Sequence, residues 1–427
     1  MRNSNTKKTP LSALAQRTEE PPISWLMKMT LDHPKVVSLA AGFTDNQSLP
    51  VQETLELLEE IFSSRKTGQA ALQYGSTAGD PCLRRLTAHD VQALDNNGAP
   101  GVYSADRVLI THGSQQLLYI VTECLCDPGD MVILEDPTYF VYLSILQSRG
   151  IQCRGIPLQQ DGIDLSWLER TLDTLTRSGE IKKVKMLYLV SYFQNPSGIT
   201  TSFHKKGTAL DLLRFYEKKA GHPIYLLEDA AYRELRFDGD DEASALAAVD
   251  NPDRVIYAGT YSKPFASGAR VGFGLLPEPI ATATRRVKGN HDFGTANLLQ
   301  QLLAHALESG LYERHLAELQ ERYAAKAAVM VEAIRQHFPE EVLWDVPKGG
   351  LYVWARLPAK NKTGVRSKIF QTALKKDVLY VPGELCYGPD PTRSKPNHEM
   401  RLSFGGATEE QIRIGIERLG KVLKKAL

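Results

Sequence analysis

From about residue 105 onward, short apolar runs alternate with longer stretches whose apolar positions recur at helical spacing. Arg107-Val-Leu-Ile-Thr111 reads as a strand, and the stretch from Ser114 to Cys126 carries Leu117, Leu118, Val121, Cys124 and Leu125 along one helical face. The turn signal Asp127-Pro-Gly-Asp130 then leads into a second strand, Met131-Val-Ile-Leu-Glu135. Apolar runs at residues 186–190, 224–228, 254–258 and 271–275 predict four more, with helical stretches such as 210–219 between several of them. Apolar strands separated by amphipathic helices must be covered on both faces, which predicts an α/β fold with a mainly parallel sheet.

The tail has a different rhythm. A helical region spans roughly residues 296–338 with a break at Gly310, and strands are expected at 350–357 and 400–404. Thr408-x-x-Gln411 fits a capping box, and Ile412, Ile416, Leu419 and Leu423 place one apolar stripe along the last helix. These elements predict a smaller α+β domain. The expected division is an N-terminal arm over 1–45 that packs with the small domain, a large domain over 46–300 and the small domain over 301–427.

Charge and cysteine content narrow the function classes. The chain of 427 residues carries 51 basic and 50 acidic residues, a net charge of +1, so no strong field draws it to nucleic acid or a membrane surface. Five scattered cysteines suit a reducing compartment, and the spacing of Cys124 and Cys126 is unlike that of zinc or redox pairs, so no metal is expected. The basic first residues lack an apolar stretch of signal-peptide length, and no run reaches about 18 apolar residues, which together predict a cytoplasmic protein.

In an open α/β sheet, ligands collect where strands end and helices begin, and four of these junctions carry unusual polar residues. At Thr111-His-Gly-Ser-Gln115, Gly113 lets the backbone come close and the helix start offers free N–H donors suited to a phosphate; a glycine turn before a serine N-cap would read the same. Tyr192-Phe-Gln-Asn-Pro-Ser-Gly198 presents the Asn195 amide on a loop stiffened by Pro196, though Asn-Pro followed by Gly is also a common turn. In Glu228-Asp-Ala-Ala-Tyr232, Asp229 ends a buried strand, which is costly unless a cation or strong donor meets it; a solvated or capping role is the alternative. The fourth junction, Gly259-Thr-Tyr-Ser-Lys-Pro-Phe-Ala-Ser-Gly-Ala-Arg270, sets Lys263 among Thr260, Ser262, Gly268 and Arg270. Most lysines lie on the surface, but a sheltered one near positive charge has a lowered pKa and can attack a carbonyl to form an imine. One ligand needs a phosphate cradle, a lysine imine, a ring-nitrogen carboxylate and phenol-oxygen donors together: pyridoxal 5′-phosphate.

In these motifs, in order from about residue 36 to the C-terminus, the sequence resembles the fold-type I pyridoxal-phosphate enzymes of the class I/II aminotransferase family, in particular its aminoadipate and kynurenine branch. The resemblance implies a mainly parallel seven-stranded sheet between helices, a smaller α+β domain, and ping-pong transfer of an amino group between an L-amino acid and a 2-oxo acid. It implies Lys263 as the cofactor-linked lysine and proton carrier, Asp229 as the partner of the pyridine nitrogen, Asn195 and Tyr232 as donors to the ring oxygen, and Tyr139 stacked on the ring. Ser114, Gln115, Thr260, Ser262 and Arg270 match phosphate contacts. Tyr74, in Leu72-Gln-Tyr-Gly75, matches a tyrosine that reaches the neighbouring subunit's phosphate, which implies a homodimer with shared active sites. Arg401, in Met400-Arg-Leu-Ser403, matches the arginine whose planar fork grips the substrate carboxylate, and Gly42 a backbone position near the substrate. Without the family, Tyr139 reads as a core tyrosine and Arg401 as an ordinary strand arginine.

The chain departs from the family pattern at His112, Ala230, Pro264 and Ser267, none of which removes a catalytic group. Relatives that accept acidic amino acids carry an arginine in the N-terminal helix, and Ile23-Ser-Trp-Leu-Met-Lys28 has none. Apolar or aromatic substrates are therefore expected, unless Lys28 proves to be buried. Two alternatives keep the cofactor: a β-lyase, decarboxylase or synthase, and a regulator fused to a DNA-binding domain, for which the roughly 35 residues before the first motif are too few.

Overall fold

Strands Val108–Thr111, Met131–Asp136, Val184–Val190, Tyr225–Asp229 and Val255–Thr260 are buried along nearly their whole length, as their unbroken apolar character requires. They belong to a sheet of eight, in the order Val108–Thr111, Gly272–Leu275, Val255–Thr260, Tyr225–Asp229, Val184–Val190, Met131–Asp136, Gln152–Gln159 and Gly162–Ile163. The structure, a computed structural model, describes residues 10–96, 101–248 and 252–427. Pairing is parallel from Val255–Thr260 through to Gln152–Gln159, while Gly272–Leu275 runs antiparallel to both of its neighbours.

The expected seven strands are all present, and a two-residue strand adds an eighth at the edge. Gly162, at φ +117, helps to fold Gly162–Ile163 back on Gln152–Gln159 as a hairpin two residues deep, too short to leave an apolar period. The chain leaves Met131–Asp136 for Gln152–Gln159 on one side, whereas Val184–Val190, Tyr225–Asp229 and Val255–Thr260 succeed one another on the other. That reversal opens a crevice beyond the C-terminal ends of the central strands.

A second sheet, antiparallel, joins Tyr352–Arg356, Glu399–Ser403 and Val381–Pro382, with Trp354 opposite Arg401. The helices Asn297–Glu308 and Leu311–His337 meet at Gly310, whose φ of +69 breaks the run as expected. Leu311–His337 packs along Glu409–Leu423, which starts with the expected Thr408–Gln411 capping box. The N-terminal arm contacts both sheets' surroundings. Val37–Ser38 pairs in parallel with Val378–Leu379, but Arg17 Nε also donates to the Ser148 carbonyl at 2.8 Å beside the large sheet. At the end of the arm, buried Lys326 holds Asp45 and the Gly405 carbonyl, each at 2.8 Å, which pins the turn that follows Gly42. All five cysteines are free, and among the described residues no helix is long and apolar enough to cross a membrane.

Candidate active site

The strand ends deliver one polar group after another to a cavity of about 360 Å³, within the usual size range of small-ligand sites. Asp229 closes its strand, Thr260 closes the next, and Lys263 follows three residues later. Tyr139 comes just after Met131–Asp136, Asn195 lies in the loop after Val184–Val190, and Ser114 and Gln115 occupy the first turn of Gly113–Leu125. Two roomier clefts, of about 920 and 670 Å³, are lined by charged residues that are all exposed or half-buried, whereas Asp229 and Arg401 are buried here.

One end of the cavity suits an anion. Gly113–Leu125 begins without a side-chain cap, so its first N–H groups and the positive end of its dipole face the space beside Ser114 and Gln115. Gly113 has φ +70, and a Cβ there would come within 2.5 Å of Arg270 Nη2, so only glycine lets the guanidinium lie over this turn. Arg270 Nη1 donates to Ser262 Oγ and to the Ser267 carbonyl, both at 3.3 Å, and the Ser262 N–H donates to Thr260 Oγ1 at 3.1 Å. No carboxylate pairs with Arg270 among the described residues.

The other end suits a cation. Asp229 is 3% exposed and accepts from Tyr188 Oη at 2.9 Å and from the Ala231 N–H at 3.1 Å, with no Lys or Arg beside it among the described residues. Burial outweighs those two donors and pushes its carboxyl up to about 6. On the same cavity wall, Lys263 Nζ donates to the Gly42 carbonyl at 2.6 Å. Burial first, then the positive charges of Arg401 and Arg270, bring this amine down to about 8.

Arg401 is 1% exposed and has no carboxylate partner among the described residues. Its Nη1 donates to Asn195 Oδ1 at 2.7 Å and Nη2 to the Ala40 carbonyl at 2.6 Å, while buried Nε has no partner. Asn195 Nδ2 in turn donates to Tyr232 Oη at 3.2 Å. A buried guanidinium without an anion, a buried carboxylate without a cation and an uncapped helix start are three deficits that pyridoxal phosphate and an amino-acid carboxylate would fill.

Twelve expected residues therefore face one space, from Gly42 and Ser114 to Arg270 and Arg401. Tyr74 does not: it is 83% exposed and lies edge-on to Phe293, with ring centroids 5.3 Å apart. Lys28 is exposed and does not line the cavity. Sequence reasoning missed Tyr188, Ile23, Phe43 and Tyr352. For Tyr352 a signal existed in the preceding glycine pair. A Cβ on Gly349 would lie 2.5 Å from the Phe193 ring and Gly350 has φ +67, so the strand leading to Tyr352 presses on the loop that carries Asn195.

An amine of lowered pKa that shares one cavity with an anion cradle and a lone buried carboxylate defines an enzyme that handles amino compounds through pyridoxal phosphate. Residues 34–419 match the family "Aminotransferase class I and II", and the chain belongs to that family. It is similar to the aromatic-amino-acid aminotransferase 1 of Thermococcus litoralis, 32% identical, with 97% of this chain and 94% of that one covered. It also resembles the kynurenine aminotransferase of Pyrococcus horikoshii solved with PMP (TM-score 0.87, 31% identity, 98% and 97% covered). A third relative is the α-aminoadipate aminotransferase of Thermus thermophilus complexed with N-(5′-phosphopyridoxyl)-L-leucine (TM-score 0.82, 29% identity, 97% of each chain covered). The protein is a fold-type I, pyridoxal-phosphate-dependent aminotransferase.

Proposed function

We propose that this aminotransferase takes the amino group of L-amino acids with apolar or aromatic side chains and passes it to a 2-oxo acid, working as a cytoplasmic homodimer with shared sites. When bound, pyridoxal phosphate supplies the carbonyl that accepts the amino group and a ring that draws electrons from the substrate Cα–H bond. Ser114, Gln115, Thr260, Ser262 and Arg270 would hold its phosphate, Asp229 its protonated ring nitrogen, Asn195 and Tyr232 its phenolic oxygen, and Tyr139 its ring face.

Arg401 orients the substrate. With Nη1 on Asn195 and Nη2 on the Ala40 carbonyl, its fork is fixed before a carboxylate arrives, which lowers the cost of binding one. Lys263 moves the proton. Lowered to about 8, Nζ has a share of free amine near neutral pH and can take the proton from the substrate Cα. The observation that carries this reading is the meeting of buried Asp229, buried Arg401 and Lys263 on one cavity without any ion pair among them. Holoenzyme given an amino donor alone is expected to release one equivalent of 2-oxo acid per site and lose its visible absorbance, with parallel lines in double-reciprocal plots once an acceptor is added. Intersecting lines would overturn the two-stage scheme.

Substrate preference is supported by Ile23, Phe43 and Tyr352 on the cavity wall, where no cation stands beyond Lys263, Arg270 and Arg401. Ile23→Arg is expected to raise kcat/KM for acidic donors about tenfold relative to aromatic ones. An unchanged ratio would show that residue 23 does not face the substrate side chain. The dimer is supported by exposed Tyr74, Phe293 and Leu72, an apolar surface that a second copy would cover. The division at residues 45 and 300 is part of the same proposal, supported by the two separate sheets.

A further inference from the structure

Tyr352 is 2% exposed, and its hydroxyl has one hydrogen-bond partner among the described residues, Tyr232 Oη at 3.0 Å. Arg401 can only donate, so it must meet the oxygen of the Asn195 amide, which leaves Asn195 Nδ2 to donate to Tyr232 Oη. Either hydroxyl can donate in the bond between them, but once Tyr232 gives its proton to an acceptor in the cavity, Tyr232 Oη is the acceptor left for the Tyr352 proton. Tyr232 Oη then receives from both Asn195 and Tyr352, its lone pairs are filled, and its own proton is left for whatever occupies the cavity. The Arg401 guanidinium lies 4.2 Å from the centroid of the Tyr352 ring and closes a circuit of four side chains. Position 42 makes room for the hydroxyl: a Cβ on Gly42 would sit 2.5 Å from Tyr352 Oη but 3.6 Å from Cζ.

We propose that Tyr352 is a positioning residue in this enzyme: its hydroxyl turns the Tyr232 proton toward the cofactor's ring oxygen, and its ring holds Arg401 in place for the substrate carboxylate. This rests on the reading above that Tyr232 donates to that oxygen. The other titratable and charged groups facing the pair include Tyr139, Asp229, Lys263, Arg270, Tyr323 and Arg401. A donor at the ring oxygen stabilises its negative charge and keeps the pH midpoint of the holoenzyme's visible absorbance low, so weakening that donor raises the midpoint.

The test records absorbance against pH for substrate-free holoenzyme, and KM for an amino donor, in wild type, Tyr352→Phe, Tyr352→Leu and Tyr232→Phe. Tyr352→Phe is expected to raise the midpoint by about half a pH unit and leave KM within about twofold, because the ring remains over Arg401. Tyr352→Leu is expected to shift the midpoint equally and to raise KM about tenfold as well. Gly42→Ala should reproduce the midpoint shift by displacing the hydroxyl, and should add nothing to Tyr352→Phe. An unmoved midpoint in Tyr352→Phe beside a moved one in Tyr232→Phe would overturn the hydroxyl's role and leave the function reading intact. An unmoved midpoint in both would show that Tyr232 is not the donor, and the proposal would fall with it. An unchanged KM in Tyr352→Leu would overturn the role of the ring.

Discussion

Lys263→Ala enzyme is expected to lose about a thousandfold or more in turnover and to show none of the visible absorbance of cofactor bound covalently to the protein. Both losses follow from one atom. Among the described residues Lys263 is the sole lysine on the cavity wall, and in the proposed mechanism its Nζ is both the nucleophile toward an aldehyde and the base toward a substrate Cα–H. Arg270 and Arg401 cannot substitute, because a guanidinium stays protonated at every working pH. Cofactor phosphate should still be retained, since Ser114, Ser262 and Arg270 are untouched, so the variant should bind the cofactor reversibly. Spectra and single-turnover rates check the prediction together. Wild-type rates from this variant would remove Lys263 from the mechanism.

Asp229→Asn is expected to do two opposite things. In the cofactor-free protein the carboxyl is raised from 3.8 to about 6, so folding takes up a proton between those values. A group raised in this way costs stability as pH climbs through the window, and above it the folded state carries a penalty of about 3 kcal/mol. Asparagine removes the charge while keeping an acceptor for the Ala231 N–H. The cofactor-free variant should therefore melt higher than wild type above about pH 6 and nearly alike below about pH 4. The loaded enzyme should lose about a hundredfold or more in kcat/KM, because an amide cannot hold a ring nitrogen protonated. Thermal melts of stripped protein across this range, set beside kcat/KM of the loaded enzyme, check both halves. A wild type that matches the variant at neutral pH would mean that Asp229 has a cationic neighbour when the site is empty.

The groups contributed by strand ends were legible because apolar runs announce where strands stop, and Asp229, Thr260 and Lys263 stand at those stops. Gln152–Gln159 was not read from the pattern, since its burial is broken and polar residues sit at both ends. Arg401 could be singled out through resemblance alone: its partners Asn195 and Ala40 lie 206 and 361 residues away, and a strand arginine carries no local sign of burial. Ile23 and Tyr352 looked like ordinary apolar positions of a helix and a strand. Tyr74 could be named but not placed by its own chain, because its expected contact belongs to a second copy.

Arg401 rides on Glu399–Ser403 of the three-stranded sheet, whereas Asp229 and Thr260 end strands of the eight-stranded one. A substrate held at both places would tie the two sheets together, alongside bonds such as Asn195–Arg401 and Tyr232–Tyr352 that already join them. An amine without a carboxylate reaches the lysine and braces nothing. With Arg401 in the proposed role, selectivity for α-amino acids over simple amines would be partly architectural, set by which sheet carries the guanidinium.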